Sequence, residues 1–263
     1  MQMAQIGDLR LHYSVTGPEN GTPVVFANSL GTDFRLWDEV LPHLPAGLRI
    51  LRYDKRGHGL SDAPEGPYSM GALITDVERL MDHTGFSNAI FVGLSIGGMI
   101  AQGLAAKRLD LVRAMVLSNT AAKIGTRDMW ADRIAAVETG GLESITGPTM
   151  DRWFSRPFHE TEEFPGWRNM FLRTPPQGWT GCAAAIAGTD FLSSTSGLRL
   201  PTLAIAGSED GSTPPDLVFE TADLIPGAQR ELIRGAGHLP CVEKPAEYAA
   251  LLTAFLRAQG AVG

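Results

Sequence analysis

The chain has 263 residues, 44% of them apolar and 19% charged, with 30 glycines and 17 prolines, the composition of one ordered, turn-rich globular domain rather than a disordered or fibrous chain. Its 22 basic against 29 acidic residues leave a net charge of −7; the basic residues form no long run, so no nucleic-acid partner is expected, and a small anionic substrate would need a specific buried cation to hold it. Cys182 and Cys241 stand in no CxxC or Cys/His pattern, so neither a disulfide framework nor a structural metal is expected, and both read as packing residues.

In chain order, the opening Met-Gln-Met-Ala-Gln-Ile-Gly-Asp carries no basic n-region and no apolar h-region. No stretch approaches the roughly 18 apolar residues of a membrane span, so a cytoplasmic protein without a membrane partner is expected. Short apolar or alternating runs bounded by turn residues predict strands at Arg10–Val15, Pro23–Asn28, Arg49–Asp54, Ala89–Leu94, Ala114–Ser118, Pro201–Ala206 and Gln229–Ile233. Helical spacing appears at Met70, Leu73, Ile74, Val77 and Leu80, and again at Tyr248, Leu251, Leu252 and Phe255. The alternation predicts an α/β fold, a mostly parallel sheet with helices on both faces.

From about Ala121 to Gly197 the alternation stops, and helical segments follow one another between Gly147-Pro148, Pro165-Gly166 and Pro175-Pro176. This predicts a core domain of residues 1–120 and 198–263 with a helical cap insertion, 121–197. The insertion holds Trp130, Trp153, Trp167 and Trp179 with Phe154, Phe158, Phe164, Phe171 and Phe191. These aromatics either pack the insertion onto the core or line a ligand cleft.

Gly93-Leu94-Ser95-Ile96-Gly97-Gly98 follows the apolar strand Ala89–Val92 and precedes a helical run from Met99 to Lys107. A serine in such a strand-turn-helix elbow is pushed out at the sheet's carboxyl edge, and its flanking glycines are required because a Cβ there would strike the neighbouring strand and helix. Ser95 is therefore the candidate nucleophile. A serine hydroxyl needs an imidazole to take its proton and a carboxylate to orient that imidazole. Of six histidines only His238 lies beyond the last strand, and it is the candidate base; His12, His43, His58, His83 and His159 read as surface or turn residues. Asp210, in the loop leaving the strand Thr202–Ala206, is the favoured acid, with neighbouring Glu209 as competitor and Pro214 or Pro215 opening the next helix. Two backbone amides must hold the oxyanion, those of Ile96 and of Leu30 in the loop Asn28-Ser29-Leu30-Gly31-Thr32-Asp33.

Together the elbow, Tyr53-Asp54-Lys55-Arg56-Gly57-His58-Gly59-Leu60-Ser61, the Asp210 loop and Gly237-His238 resemble the α/β-hydrolase superfamily over essentially the whole chain. That resemblance implies an eight-stranded, mostly parallel sheet, and it makes the Asp54–Ser61 segment structural, with Arg56 paired locally. More narrowly, Asn28–Asp33, Arg152-Trp153-Phe154 and Pro175–Cys182 are similar to 3-oxoadipate enol-lactonases. The resemblance implies opening of 3-oxoadipate enol-lactone through a serine triad and acyl-enzyme, in the β-ketoadipate pathway, with no cofactor. The substrate carries a carboxylate, for which Arg152 beside Trp153 is the candidate cation, with Arg133 and Arg168 competing and Trp130 as a further contact. The expected partner is thus a small anionic lactone or ester, and a homo-oligomer remains open. A carboxylesterase, a C–C hydrolase of ring-cleavage products, and a ligand receptor of this fold are the rival readings.

Overall fold

The structure is a computed structural model and describes residues 1–262. Eight strands form one sheet: β1 (Gln2–Ile6), β2 (Leu9–Thr16), β3 (Thr22–Ala27), β4 (Leu48–Tyr53), β5 (Ala89–Leu94), β6 (Val112–Ser118), β7 (Thr202–Gly207) and β8 (Gln229–Ile233), in the order β1-β2-β4-β3-β5-β6-β7-β8. β1 and β2 pair antiparallel, as do β2 and β4, and every later pairing is parallel. The residues of β5 and β7 are buried throughout. This is why these strands read as unbroken apolar runs: a parallel strand covered on both faces has no solvent side on which to alternate. The edge strand β8 starts with three exposed polar residues, Gln229, Arg230 and Glu231, which discourage pairing with another chain.

Strand β1 is absent from the seven segments read from the sequence. It buries only Ala4 and Ile6 and exposes Gln2, Met3 and Gln5. It is a strand because Gly7, at φ 62°, turns the chain straight back onto β2, and that pairing leaves little periodic signal.

The helices are α1 (Met70–Thr84), α2 (Ile96–Lys107), α3 (Arg127–Gly140), α4 (Glu143–Trp153), α5 (Phe164–Leu172), α6 (Pro176–Ala187), α7 (Leu192–Ser196), α8 (Pro215–Asp223), α9 (Pro240–Glu243) and α10 (Pro245–Ala258). Helix α1 starts where the Ser69 side chain accepts from the Ala72 amide and stops at Gly85 in the left-handed region. Between these ends it buries Leu73, Ile74, Val77, Leu80 and Met81, each worth roughly 1.5–3 kcal/mol of transfer free energy. Helices α3–α7 all lie between β6 and β7. Among the described residues no helix is long and apolar enough to cross a membrane.

Two consequences of this topology position the site. Because β3 to β8 run parallel, the loops that follow β3, β5, β7 and β8 all leave at the same carboxyl edge. The chain also steps to one side of β3 to form β4 and to the other side to form β5, so the loops after β3 and β5 part and leave a crevice between them.

The helical insertion closes over that edge through backbone contact so tight that only glycine fits. A Cβ on Gly178 of α6 would lie 2.1 Å from the Gly57 carbonyl oxygen, and one on Gly57 would lie 2.4 Å from Gly178 Cα. Gly178→Ala is expected to destabilise the protein by about 1–3 kcal/mol and lower Tm by roughly 3–10 °C. Gly166→Ala, on α5 with no atom within 4 Å of the added Cβ, is the control. Equal melting temperatures for the two variants would refute the contact.

Candidate active site

Ser95 sits between β5 and α2 with φ 58° and ψ −120°, a region that an L-residue occupies only under constraint. The constraint is visible on three sides. The Ser95 amide donates to the Ser118 carbonyl at 3.0 Å, and its own carbonyl accepts from Thr120 Oγ1 at 2.6 Å and from the Gly98 amide at 2.8 Å. A Cβ on Gly93 would lie 2.3 Å from the Gly97 oxygen, one on Gly97 2.2 Å from the Ala27 oxygen, and one on Gly98 2.4 Å from Thr120 Cγ2. The glycines thus let β3, β5 and α2 meet, and the strained turn is the result.

Asp210, 5% exposed at the end of the loop from β7, accepts hydrogen bonds through both carboxylate oxygens. Oδ2 takes them from His238 Nδ1 at 2.8 Å, Asn119 Nδ2 at 2.9 Å and Thr213 Oγ1 at 2.8 Å; Oδ1 takes them from the amides of Ser212 at 2.7 Å and Thr213 at 3.0 Å. Burial alone would raise this carboxyl, but the charge and hydrogen bond of His238, with those from Asn119 and Thr213, outweigh it and hold the pKa below the ordinary value. Asp210 therefore stays an acceptor at neutral pH, which directs the His238 proton to Nδ1 and leaves Nε2 as the free acceptor. The competitor Glu209 is exposed. Asn119 and Thr213 were not singled out in the sequence, since neutral polar residues next to a strand end carry no signal of what they will face.

Ser95 and His238 line one cavity. Among the described residues no hydrogen bond joins their side chains; the partner of His238 Nε2 is Ser29 Oγ at 3.5 Å. Serine–imidazole bonds are often long without substrate and tighten with it.

The loop after β3 is fixed from below by residues that the sequence reading assigned to surface or turn. His58 is fully buried; its Nε2 accepts from the Gly31 amide at 2.8 Å while Nδ1 lies 3.2 Å from the Arg56 carbonyl. Burial, then the nearby Lys55 charge, pushes its pKa well below the usual value, so the imidazole stays neutral and can accept. His12 is also buried, with Nδ1 2.8 Å from Asp54. His58 thus lies in a turn, as expected, but is buried there, whereas His12 lies inside β2; neither burial is visible in the sequence because each depends on the loop packed against it. His43 and His83 are exposed and His159 is half-buried. Lys55 Nζ donates to the Ser29 carbonyl at 2.6 Å, although burial lowers its pKa to about 8. Arg56 is not paired locally: it makes a two-pronged bond to Asp76 on α1, 2.6 Å at each contact. The Leu30 and Ile96 amides are buried and, among the described residues, engage no protein acceptor. They are therefore free to serve an oxyanion.

The cavity measures about 150 Å³, which suits a small substrate. Its aromatic wall includes Trp130, Trp153, Phe171 and Trp179 from the insertion; Trp153 lies nearly parallel to the His238 ring, 6.5 Å between centroids. Trp167 instead packs against Phe154. Arg152 and Arg133 both line the cavity, and Arg168 is exposed outside it. Among the described residues neither lining arginine has a carboxylate within ion-pair distance: Arg152 bonds Thr149 Oγ1 at 3.1 Å and Arg133 lies over the Trp130 ring. Burial lowers the Arg152 pKa to about 10, with repulsion from Arg133 next and Asp151 opposing, so both stay charged at neutral pH. Two half-buried cations without counter-ions favour an anionic ligand. A larger cleft of about 450 Å³, lined by His12, Phe34 and Arg173 among others, contains neither Ser95 nor His238.

The insertion is joined to this machinery by main-chain bonds. The last turn of α4 offers the Arg152 carbonyl to the Gly211 amide at 3.1 Å and the Trp153 carbonyl to the His238 amide at 2.8 Å. Glu243, at the end of α9, completes the link. Its carboxylate accepts from the Gly237 amide at 2.6 Å, from the Ser155 amide at 3.1 Å and from Ser155 Oγ. It thereby holds the residue before His238 to the residue two past Trp153.

Comparison with known proteins supplies independent findings. The sequence model of the alpha/beta hydrolase fold family matches residues 22–137. The chain is 33% identical to 3-oxoadipate enol-lactonase 1 of Acinetobacter baylyi, over 94% of this chain and 93% of that protein. Among solved structures, the enol-lactonase from Burkholderia xenovorans superposes with a TM-score of 0.94 at 33% identity, covering 97% of this chain and 100% of that one. A thermophilic esterase from Thermogutta terrifontis superposes at 0.92 and 27% identity, over 98% and 99%.

Two of the three groups that bond the Glu243 carboxylate, the Gly237 and Ser155 amides, can only donate, so Glu243→Gln replaces charge-assisted bonds with weaker neutral ones and leaves one oxygen to serve both amides. The variant is expected to lose roughly 10- to 100-fold in kcat/KM. Unchanged kcat/KM in a folded Glu243→Gln would remove this link between insertion and histidine loop.

Proposed function

The chain belongs to the α/β-hydrolase family of hydrolytic enzymes, and on that premise we propose that it opens 3-oxoadipate enol-lactone to 3-oxoadipate, a cytoplasmic step of aromatic-compound breakdown in the β-ketoadipate pathway. The observation that carries this reading is the small cavity in which Ser95 and His238 meet two charged arginines without counter-ions.

In the proposed reaction Ser95 Oγ attacks the lactone carbonyl while His238 Nε2 accepts its proton, and Asp210 stabilises the imidazolium through Nδ1. The Leu30 and Ile96 amides hold the oxyanion, where their lack of a protein acceptor is an advantage: the donors are already oriented and desolvated when charge develops. As the ring bond breaks, the proton held by His238 passes to the departing oxygen, giving an acyl-enzyme whose tail is an enol and leaving Nε2 free to accept again. Its tautomerisation to the ketone removes the nucleophile that would re-close the ring. Water deprotonated by His238 then releases the second carboxylate and restores Ser95. The substrate carboxylate rests on Arg152, with Arg133 close by, while Trp130 and Trp153 enclose the ring.

Steady multiple turnover of the authentic enol-lactone, abolished in Ser95→Ala, is the expected outcome; turnover of p-nitrophenyl esters with none of the lactone would instead favour the esterase reading. Arg152→Ala is expected to raise KM for the lactone roughly 10- to 100-fold with little change in kcat. An unchanged KM would remove Arg152 from substrate binding.

A further inference from the structure

The loop after β3 carries several polar side chains, and the scaffold occupies almost all of them. Asn28 donates to the Tyr53 carbonyl at 3.0 Å and accepts from Trp37 Nε1 at 3.0 Å; Thr32 Oγ1 donates to the Ser29 carbonyl at 2.9 Å; Asp33 pairs with Arg35. Ser29 differs. Its carbonyl is fixed by Lys55 and Thr32, so its backbone cannot drift, yet its hydroxyl has only the 3.5 Å contact with His238 Nε2. The residue is 1% exposed and lines the cavity that contains Ser95. While Nε2 is unprotonated the one hydrogen of this hydroxyl faces it over a long contact and both oxygen lone pairs are unused; once Nε2 carries a proton the hydroxyl can accept from it and turn its own hydrogen elsewhere.

We propose that Ser29 is a catalytic residue, the relay that carries the proton from His238 to the departing oxygen. The proposal rests on the reading of Ser95 as nucleophile and His238 as base. It does not depend on which ester or lactone is the natural substrate. When Ser95 Oγ bonds to the carbonyl carbon, its proton passes to Nε2. When the carbon–oxygen bond of the leaving group breaks, that oxygen keeps the electron pair. Ser29 Oγ–H gives it a proton and takes the Nε2 proton in return, so one proton has moved from Ser95 to the leaving oxygen while Ser29 and His238 regain their starting states. A hydroxyl beside Nε2 extends the reach of the imidazole by one hydrogen bond, about 2.8 Å, toward an oxygen that swings away as a ring opens.

A relay matters most for a leaving group that cannot depart as an anion. The test is kcat/KM, which reports on acylation, for wild type, Ser29→Ala and Ser29→Gly. The substrates are esters of one acid with p-nitrophenol, phenol and an alkanol, together with the enol-lactone and its saturated counterpart. Both variants should lose less than about 3-fold on the p-nitrophenyl ester and roughly 10- to 100-fold on the alkyl ester and saturated lactone, with melting temperatures matching wild type. An equal loss at every leaving group would make Ser29 an oxyanion donor and overturn the relay, as would no loss at all. Ser95→Ala separates the two layers. If it retains turnover, the nucleophile reading falls and the relay with it; if it is inactive while the Ser29 variants show no leaving-group dependence, only the relay falls.

Discussion

The arrangement depends first on a buried carboxylate with all its acceptor positions filled. Asp210 leaves β7, Asn119 follows β6, and His238 lies in the loop after β8, so three neighbouring strand ends converge on one side chain. An ion taken out of water is stable only if charge-assisted hydrogen bonds replace its hydration. Five donors do so here. Two of them are main-chain amides of the turn that begins α8, which makes the turn conformation itself part of the charge stabilisation. The same bonds fix the tautomer of His238, and with it which nitrogen faces the cavity.

The elbow solves a different problem by close packing instead of charge. Ser95 is held at positive φ because its amide and carbonyl are bound on both sides and because the glycines around it let three backbones touch. Strain of this kind persists only where surrounding contacts over-determine the conformation. The loop after β3 faces it across the crevice, held from below by His58 and Lys55, two ionisable groups whose burial shifts them toward their neutral forms. Their work is to hold backbone, and this explains charged and aromatic side chains near the site that do not enter the cavity.

The insertion decides what the core can accept. Its aromatic side chains form much of the wall of a small cavity, and two of its arginines bring positive charge to it in a protein that is acidic as a whole. The end of α4 is bonded through main-chain carbonyls to the loops carrying Asp210 and His238, so the cavity-lining Arg152 and Trp153 are held directly to those loops. A thermophilic esterase shares the same architecture, so the fold alone does not fix a substrate.

How much of this was legible in the sequence differs from element to element. Central strands such as β5 and β7 were readable because double-sided burial writes unbroken apolar runs, and the elbow because its glycine-flanked serine stands directly between such a strand and a helix, although two of its glycines answer to Ala27 and Thr120 on other segments. Ser95, Asp210 and His238 could be named because each stands in a loop just past a recognisable strand, the serine between glycines and the histidine as the one of six beyond the last strand. Strand β1 was not readable, since pairing with β2 needs only Ala4 and Ile6 to face inward. Nor were the roles of His12, His58 and Asn119, each set by a partner that the fold brings from a distant segment, or those of Thr213 and Glu243; Arg152 was named from the resemblance, and the fold places it and Arg133, but not Arg168, on the cavity. The sequence by itself determined the periodicities and the local turn chemistry, because those depend on neighbours along the chain. Only the tertiary structure decided which polar groups lose water together, because that depends on neighbours in space.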